Sequence, residues 1–592
     1  MAGGYMGKVL FVDLSKGELK DEALDEKLCR DFIGGYGIGA RIIYSRQEAG
    51  VDPLGPENIL GFMTGPLTGT PATVGVRYTA VGKSPLTNGW GDASSGGDFA
   101  PHLKFAGYDG VFFTGLSEKP VYLFIDNGKA ELRDASHLWG KDTYETEDML
   151  QAEHGRQTYI SCIGQSAEKL SLISCIITKR GAAAGRSGLG AVMGSKKLKA
   201  VAVRGNQKVP IADSETANRL RREHIAELRA AEWPMRKYGT TGGTHLSAHS
   251  GDTPVKNWGG VGVVDFPDPS GLSGDATIAN QERDETCWRC PIACEGILKE
   301  GTGEYKYAAG SRRPEYETQG AFATMCLNNN TESIAMVNDI CNRYSLDTIS
   351  AGCTIAFAIE CYESGLITQK DTDGIELTWG NHRSIVAMTE KMAKREGFGD
   401  ILADGVKVAA EKIGKGSEKY AVHIGGQELG MHDPKLSPMS PAAARYQMDA
   451  TPGRHTQGFG PSGFRGHVIN ATGLCFFGGA KYIAGFMSAV TGWDRSMDEL
   501  LKAGERIATM RHVFNLREGI NPLELKVHPR IIGKPPYETG PLAGVTADIE
   551  AQNYWNLGAL DWDRVTTKPS KKKLLELGLE DVAKDLWPET NP

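Results

Sequence analysis

Hydrophobic and polar positions change rhythm along the chain. In the first third they fall in short apolar runs broken by turn residues, the pattern of strands. Val9 to Leu14 ends at Ser15-Lys16-Gly17, a hairpin signal. Val121 to Ile125 is followed by Asn127-Gly128 and then Ala130 to Leu132, and Asn-Gly supplies the positive φ of a tight type I′ turn. Val111 to Thr114, Tyr159 to Ile163, Leu170 to Ile177 and Leu198 to Arg204 read as further strands. One helix is expected near Leu24 to Ile33, stopping at Gly34-Gly35. After Gly205 the pattern turns helical. Residues 213–231 are charged and helical, and Ile334, Val337 and Cys341 share a face at i, i+3, i+7. Ile349 to Cys361 is apolar nearly all round and predicts a buried helix. Ile385, Met388 and Met392 mark another, and Val406 to Ile413 a third that ends at Gly414. The last third mixes helices with Gly- and Pro-rich loops and closes on an amphipathic stretch, Lys571 to Trp587. These changes divide the chain into 1–207, 208–415 and 416–592. No short-period repeat is visible.

Composition narrows the class. With 66 basic and 73 acidic residues the net charge is −7, which argues against nucleic acid or an anionic membrane surface as the main partner. No run nears the ~18 uninterrupted apolar residues of a membrane span, and Met1 to Lys8 lacks the apolar core of a signal peptide. The 11 cysteines are odd in number and mostly inside apolar runs, as expected for a reducing, cytoplasmic compartment. Glycine is in excess: 75 of 592 residues, against a usual ~7%. It clusters at Gly34–Gly39 and Gly185–Gly190, which points to close backbone approaches. Neither cluster is expected to follow a strand and open a helix at the spacing of a dinucleotide fingerprint.

Cys287-Trp-Arg-Cys290-Pro-Ile-Ala-Cys294 is the sharpest local signal. Three thiols at this spacing can face one point from a single loop. Two chemistries want that, an iron–sulfur cluster needing a fourth thiolate or a structural zinc. The iron–sulfur reading is favoured, because no second Cys-x-x-Cys or histidine pair follows. His245 and His249 lie upstream at i, i+4, but flanking glycines speak against a helix there. Cys475, after Gly473-Leu474, is the candidate distant ligand, with a plain buried cysteine as the alternative.

Several segments together carry a resemblance: Gly75-Val-Arg77-Tyr, Gly82-Lys-Ser-Pro-Leu, the run from Gly185 to Lys199, the Cys287 cluster, Pro314-Glu-Tyr-Glu-Thr, Ser345-Leu-Asp347-Thr-Ile-Ser and Gly473-Leu-Cys475. In this order and spacing, from end to end, the chain resembles the tungsten-dependent aldehyde ferredoxin oxidoreductases. The resemblance implies an α+β fold: a β-rich N-terminal base domain and two mainly helical domains enclosing a buried bis-pterin tungsten cofactor, beside a 4Fe–4S cluster. It implies Cys287, Cys290, Cys294 and Cys475 as cluster ligands. Arg77 matches a pterin-phosphate arginine, and Ser94 and Ala183 fall where backbone groups meet the phosphates or their magnesium. Arg186 lies in the glycine loop beside them. The family's two pterin motifs, Asp-x-x-Gly-Leu-Asp and Asp-x-x-Gly-Leu-Cys, appear as Asn342-Arg-Tyr-Ser-Leu-Asp347 and Asn470-Ala-Thr-Gly-Leu-Cys475. Asn342 and Asn470 keep an acceptor oxygen but lose the charge of the family's acid. Asp347 also suits a helix N-cap.

Aldehyde oxidation needs an acid–base pair. The resemblance directs it to Glu317, with Glu315 as the neighbour two residues away, and to His432, with His455 as rival. Asp433 or the backbone is expected to fix the His432 tautomer. Cys326 reads as a packed core cysteine. The implied reaction is aldehyde to carboxylic acid, reversible, with electrons passing to ferredoxin or an iron–sulfur subunit, and the chain working as a homodimer or within a larger complex. An aryl-CoA reductase is the alternative within the family; it needs a CoA pocket and larger insertions, which the sequence does not display. A zinc-stapled, non-catalytic binding protein is the alternative from another class, and molybdenum could replace tungsten on the same pterin.

Overall fold

The computed structural model describes residues 2–231 and 233–588. The N-terminal third is one supersecondary unit written twice. The first copy holds β1 (Lys8–Asp13), β2 (Glu18–Ala23), β3 (Leu60–Thr64), β4 (Tyr78–Lys83), β5 (Trp90–Ser95) and β6 (Gly110–Thr114), ordered β2-β1-β6-β3-β4-β5. The second holds β7 (Val121–Asp126), β8 (Lys129–Asp134), β9 (Tyr159–Cys162), β10 (Ile176–Thr178), β11 (Ala182–Ala184) and β12 (Leu198–Arg204), ordered β8-β7-β12-β9-β10-β11. Each sheet has a single parallel pair, β1 with β6 and β7 with β12, and is otherwise antiparallel. The repeat is near one hundred residues long, and the side chains of the two copies have diverged.

The expected hairpins form, with Asn127 at φ 48° and Gly128 at φ 90° in the tight turn. The strands missing from the sequence reading include β3, β4 and β5, together with the short β11. The first three are buried almost throughout, so no polar face marks the two-residue period. Leu170 to Ile177 is not a full strand: only Ile176–Thr178 joins the sheet, and Ser174 instead bridges outward to Leu346. Gly34-Gly35 does not end the helical region either. After the short helix Glu26–Phe32 a second helix runs from Gly35 to Arg46. Its glycines serve helix packing rather than a ligand. A Cβ on Gly37 would lie 2.8 Å from Ile507 Cδ1, and one on Gly39 2.9 Å from Val81. The Gly185–Gly190 loop does lead from a strand, β11, into a helix, Leu189–Ser195, although its glycine spacing is not that of a dinucleotide fingerprint.

The rest is mainly helical, as the periodicity predicts. The helices Thr331–Tyr344, Thr348–Glu363, His382–Lys394 and Val406–Ile413 share one apolar core. The last amphipathic stretch forms two short helices, Lys571–Glu576 and Glu580–Leu586, separated by Gly578. Among the described residues no helix is long and apolar enough to cross a membrane.

Two helix ends lock the helical part onto the two repeats in the same way. The helix Thr331–Tyr344 stops at Ser345 (φ 62°), and the helix Phe464–Thr472 stops at Gly473 (φ 82°). The next residues, Leu346 and Leu474, bridge to Ser174 and Gly75, one in each copy. Asp347 N–H then donates to Ile173 O and Cys475 N–H to Val74 O, both at 3.0 Å. The left-handed turn satisfies the last helical carbonyls while turning the chain towards the sheet. Ser345 lacks glycine's freedom, but its Oγ accepts from Gly164 N–H at 2.9 Å, which offsets the strain. Gly65 and Gly164 close onto these turns: a Cβ would lie 2.1 Å from the Thr472 carbonyl carbon and 2.4 Å from Arg343 O, respectively.

Gly65→Ala and Gly164→Ala are therefore expected to destabilise by about 1–3 kcal/mol or more through overpacking against backbone. Gly243→Ala, where an added Cβ meets nothing within 4 Å, should stay within about 0.5 kcal/mol. Thermal unfolding of the three variants checks this.

Candidate functional site

The cysteine run occupies the loop of a small hairpin, β13 (Gln281–Glu285) and β14 (Glu295–Leu298). Arg289 and Ala293, both at φ 50°, coil the loop so that its thiols turn inward. Cys287 Sγ accepts from Gly97 N–H at 3.1 Å, just beyond β5. Cys475 arrives from the second helix-end motif, and its Sγ lies 3.5 Å from Arg77 Nη2. Arg77 in turn lies near Cys287 and Cys294, and Cys290 lies near Cys475 and Cys287, so the four thiols share one neighbourhood. No three of their Sγ atoms lie mutually within 4.8 Å, since among the described residues the only such ligand group is elsewhere. Tetrahedral zinc with Zn–S near 2.3 Å would need sulfurs about 3.8 Å apart. The thiols are therefore not preset at the spacing of a tetrahedral zinc site. His245 and His249 do form a short helix, Thr244–Ser250, against expectation. His249 Nε2 is taken by Phe266 O at 3.1 Å.

Beside the thiols the two repeats meet edge to edge, with Ser95 Oγ donating to Ala182 O at 3.1 Å between β5 and β11. Buried polar atoms are left without partners here: Arg77 Nε, Ser94 Oγ, and Arg186 Nε and Nη1. An unsatisfied buried guanidinium is costly, and two of them, one from each repeat, mark a place built for an anion. Arg77 Nη1 reaches Ser94 O at 3.4 Å. Ala183 lies on β11 and is exposed. Arg186 Nε is 3.4 Å from Asp347 Oδ2, and its Nη2 donates to Glu428 O. Asp347 also caps the following helix through Ile349 N–H at 3.1 Å, as its N-cap reading expected. Asn342 and Asn470 occupy the same place in the two helix ends; Asn470 Nδ2 turns back to Gly466 O at 2.9 Å.

The acid–base candidates come together next to Arg186. Glu317 Oε1 lies 3.4 Å from His455 Nε2 and 3.8 Å from His432 Nε2. Neither contact is aligned as a hydrogen bond, so Oε1 has no bonded partner. Its other oxygen is held by Met431 N–H at 2.9 Å. Both rival histidines thus flank the same carboxylate. Glu315 does not join them; it is exposed and accepts from Thr240 Oγ1. Asp433 does not fix His432: it is buried in a pair with Lys435 Nζ at 2.7 Å. Asp252, which sequence reasoning passed over, does so, with both carboxylate oxygens 3.1 Å from His432 Nδ1. Tyr316 stacks on the same ring at 4.7 Å. Asp252 sits in the loop after Gly251, where no local motif announced it. Cys326 is a core cysteine, fully buried with Sγ 3.6 Å from Ala321 O.

Charge states differ across the trio. Burial raises the Glu317 pKa, opposed by His432, the Met431 N–H and Arg186. His432 is raised: burial opposes this, but the Asp252 hydrogen bond and Glu317 outweigh it. His455 is held well below its ordinary value by burial and by the cations His432, Arg454 and Arg186. One imidazole is thus kept neutral and one biased towards the cation, around a carboxyl poised to exchange a proton. The trio has the spacing of a metal site, but the nearby guanidiniums oppose a divalent cation, and acid–base work fits better.

Residues 9–205 match the family described as aldehyde ferredoxin oxidoreductase, N-terminal domain, and residues 216–579 match its domains 2 and 3. The tungsten-containing aldehyde ferredoxin oxidoreductases of Pyrococcus horikoshii and Pyrococcus furiosus are each 36% identical, over 98% of this chain and 99% of theirs. A chain of the active-site complex BamBC of benzoyl coenzyme A reductase, solved with 1,5-dienoyl-CoA, superposes with a TM-score of 0.87 at 26% identity, covering 99% of both chains. That coverage corrects one expectation: a CoA reductase of this fold needs no larger insertions, and size does not separate the two activities.

Asp252→Asn should lower the His432 pKa, because it removes the hydrogen bond that raises it. Histidine NMR titration checks the direction. The matching stability gain is fully present below the unfolded value of 6.5 and is lost as pH rises through the folded value. The stability gap between wild type and variant should therefore close towards alkaline pH.

Proposed function

The chain belongs to the tungsten-containing aldehyde ferredoxin oxidoreductase family, and we propose that it oxidises aldehydes to carboxylic acids, reversibly, at a tungsten–bispterin centre. The observation that carries this reading is Arg186. Its unsatisfied guanidinium faces the anion cradle between the repeats, and its charge also reaches Glu317 and His455. Cofactor cradle and acid–base trio are one site.

The tungsten pterin, when bound, supplies a two-electron acceptor beside the aldehyde carbon. The chain's own groups manage water and protons. Glu317 takes a proton from water as its oxygen bonds the aldehyde carbon. His432, oriented by Asp252 and biased by it towards the protonated form, donates to the carbonyl oxygen, where negative charge develops. His455, neutral, relays the proton from Glu317. These transfers give the aldehyde hydrate. Breaking its C–H bond would release two electrons to that acceptor and one proton. An O–H proton would return to the deprotonated His432, and Glu317 would shed its own proton through His455. Aldehyde and water thus give acid, two electrons and two protons.

Arg77, Arg186 and the cradle lined by Ser94 and Ala183 would hold the pterin phosphates, with magnesium between them, and the two helix-end motifs at Asn342–Asp347 and Asn470–Cys475 would each hold one pterin. Cys287, Cys290, Cys294 and Cys475 would hold a 4Fe–4S cluster. Arg77, touching both Cys475 and Ser94, joins cluster to cradle. Electrons would leave singly to ferredoxin or an iron–sulfur subunit, in a homodimer or larger complex. Residues 1–207 form the base, and 208–415 and 416–592 the two helical units above it. Reduction of an aryl-CoA thioester is the second reading, favoured by the structural likeness but carried at lower identity.

Anaerobic metal analysis should give one tungsten and about four irons per chain; zinc near one with neither tungsten nor molybdenum would overturn the reading. Glu317→Gln should cut aldehyde-dependent viologen reduction by about 10²–10⁴-fold with metal content unchanged. Because the Glu317 pKa is raised, wild-type rates should fall with acidification at a point above its ordinary 4.5, and this limb should vanish in the variant. Turnover of benzoyl-CoA in place of aldehydes would favour the second reading.

A further inference from the structure

The tip of the cysteine loop reaches the surface with cations that nothing neutralises. Arg289, between Cys287 and Cys290, is exposed, and its guanidinium lies 5.4 Å from the Trp288 ring centre. Arg221, from the helix Ser214–Ala230, donates to Arg289 O at 3.0 Å and Pro71 O at 3.3 Å. Among the described residues neither guanidinium has a carboxylate partner, and the two lie close enough that Arg289 disfavours the charge on Arg221. The chain following Cys475 adds exposed aromatic surface. Phe476, the residue after Cys475, is 52% exposed, and Trp233 is 38% exposed. Trp233 packs edge-on to Phe477 with ring centres 6.0 Å apart. The helix that carries Arg221 also packs against the segment after Phe476, its His224 stacking on Tyr482 at 4.7 Å.

We propose that Trp233, Phe476, Arg221 and Arg289 form the docking face for a small acidic iron–sulfur protein that takes electrons from this chain. The proposal rests on the reading above that the four cysteines hold a 4Fe–4S cluster. Aromatic side chains with arginine beside them make an interface centre that desolvates well and binds tightly. The chain carries −7 overall, so an acidic carrier is repelled by most of its surface and steered to a local cationic face. The face lies over residues adjoining three of the four ligands, where the path between clusters is short. Each encounter passes one electron to the oxidised partner cluster with no bond made or broken, and two encounters complete one aldehyde.

The holoenzyme is assayed with excess aldehyde and two acceptors, an acidic two-cluster bacterial ferredoxin and benzyl viologen. Arg289→Glu should raise KM for the ferredoxin about 10-fold or more and flatten its dependence on salt. Viologen turnover and iron content should stay at wild-type levels. Phe476→Ser, which leaves the loop intact, should raise the same KM. An unchanged ferredoxin KM in both variants overturns the docking face, as does a wild type that reduces viologen but not ferredoxin. A change of oligomeric state in Phe476→Ser means that a second copy covers the face, and also overturns it. A wild type that reduces neither acceptor and holds no iron defeats the underlying cluster reading instead.

Discussion

Two left-handed helix ends, at Ser345 and Gly473, hold this structure together. Each turns its chain onto one copy of a duplicated six-stranded unit, and each closes with a backbone bridge and a 3.0 Å hydrogen bond to that copy. The positions of Asp347 and Cys475 follow from these turns rather than from side-chain packing. Because backbone meets backbone, the geometry tolerates little: a single methyl at Gly65 would collide with Thr472. A second, electrostatic tie crosses the same junction. Arg511, on the helix Met497–Arg517, bonds Asp92 of β5 at 2.9 Å and Asp449 at 2.8 Å, all three buried. A buried network of this kind is costly to break once its charges are desolvated.

Duplication explains why the cradle lies where it does. Two equal units set edge to edge bring β5 against β11, and each contributes one guanidinium with unsatisfied atoms. Burying two guanidiniums with N–H groups left unbonded is unfavourable for the chain alone, even with Asp347 beside Arg186. The folded protein is therefore poised to gain from an anion at that junction, and the helices above are clamped to the same edges. The acid–base trio uses the complementary device. Three ionisable groups whose reactive atoms lie within 4.8 Å of one another are given different proton affinities by their surroundings: Asp252 beside His432, and guanidiniums near His455.

What sequence by itself determined was the chemistry-bearing residues that are close along the chain or carried by a full family pattern. The Cys287–Cys294 run, the Asn-Gly hairpin and the long amphipathic helices were readable from spacing and periodicity, whereas Glu317, with Glu315 two residues away, was reached only through the family resemblance. The buried strands β3 to β5 were not, because a strand covered on both faces has no polar face to mark its period. The glycines at Gly34–Gly39 misled for a related reason: they serve a helix packed too closely for side chains, and only the neighbours Ile507 and Val81, far away in the chain, reveal it. The tertiary structure alone decided that His432 and His455 share one carboxylate and that Asp252, not Asp433, orients the first. It also made the first 204 residues a repeat. These are contacts between groups up to 180 residues apart, and their energies depend on distance, alignment and desolvation, which no local pattern encodes.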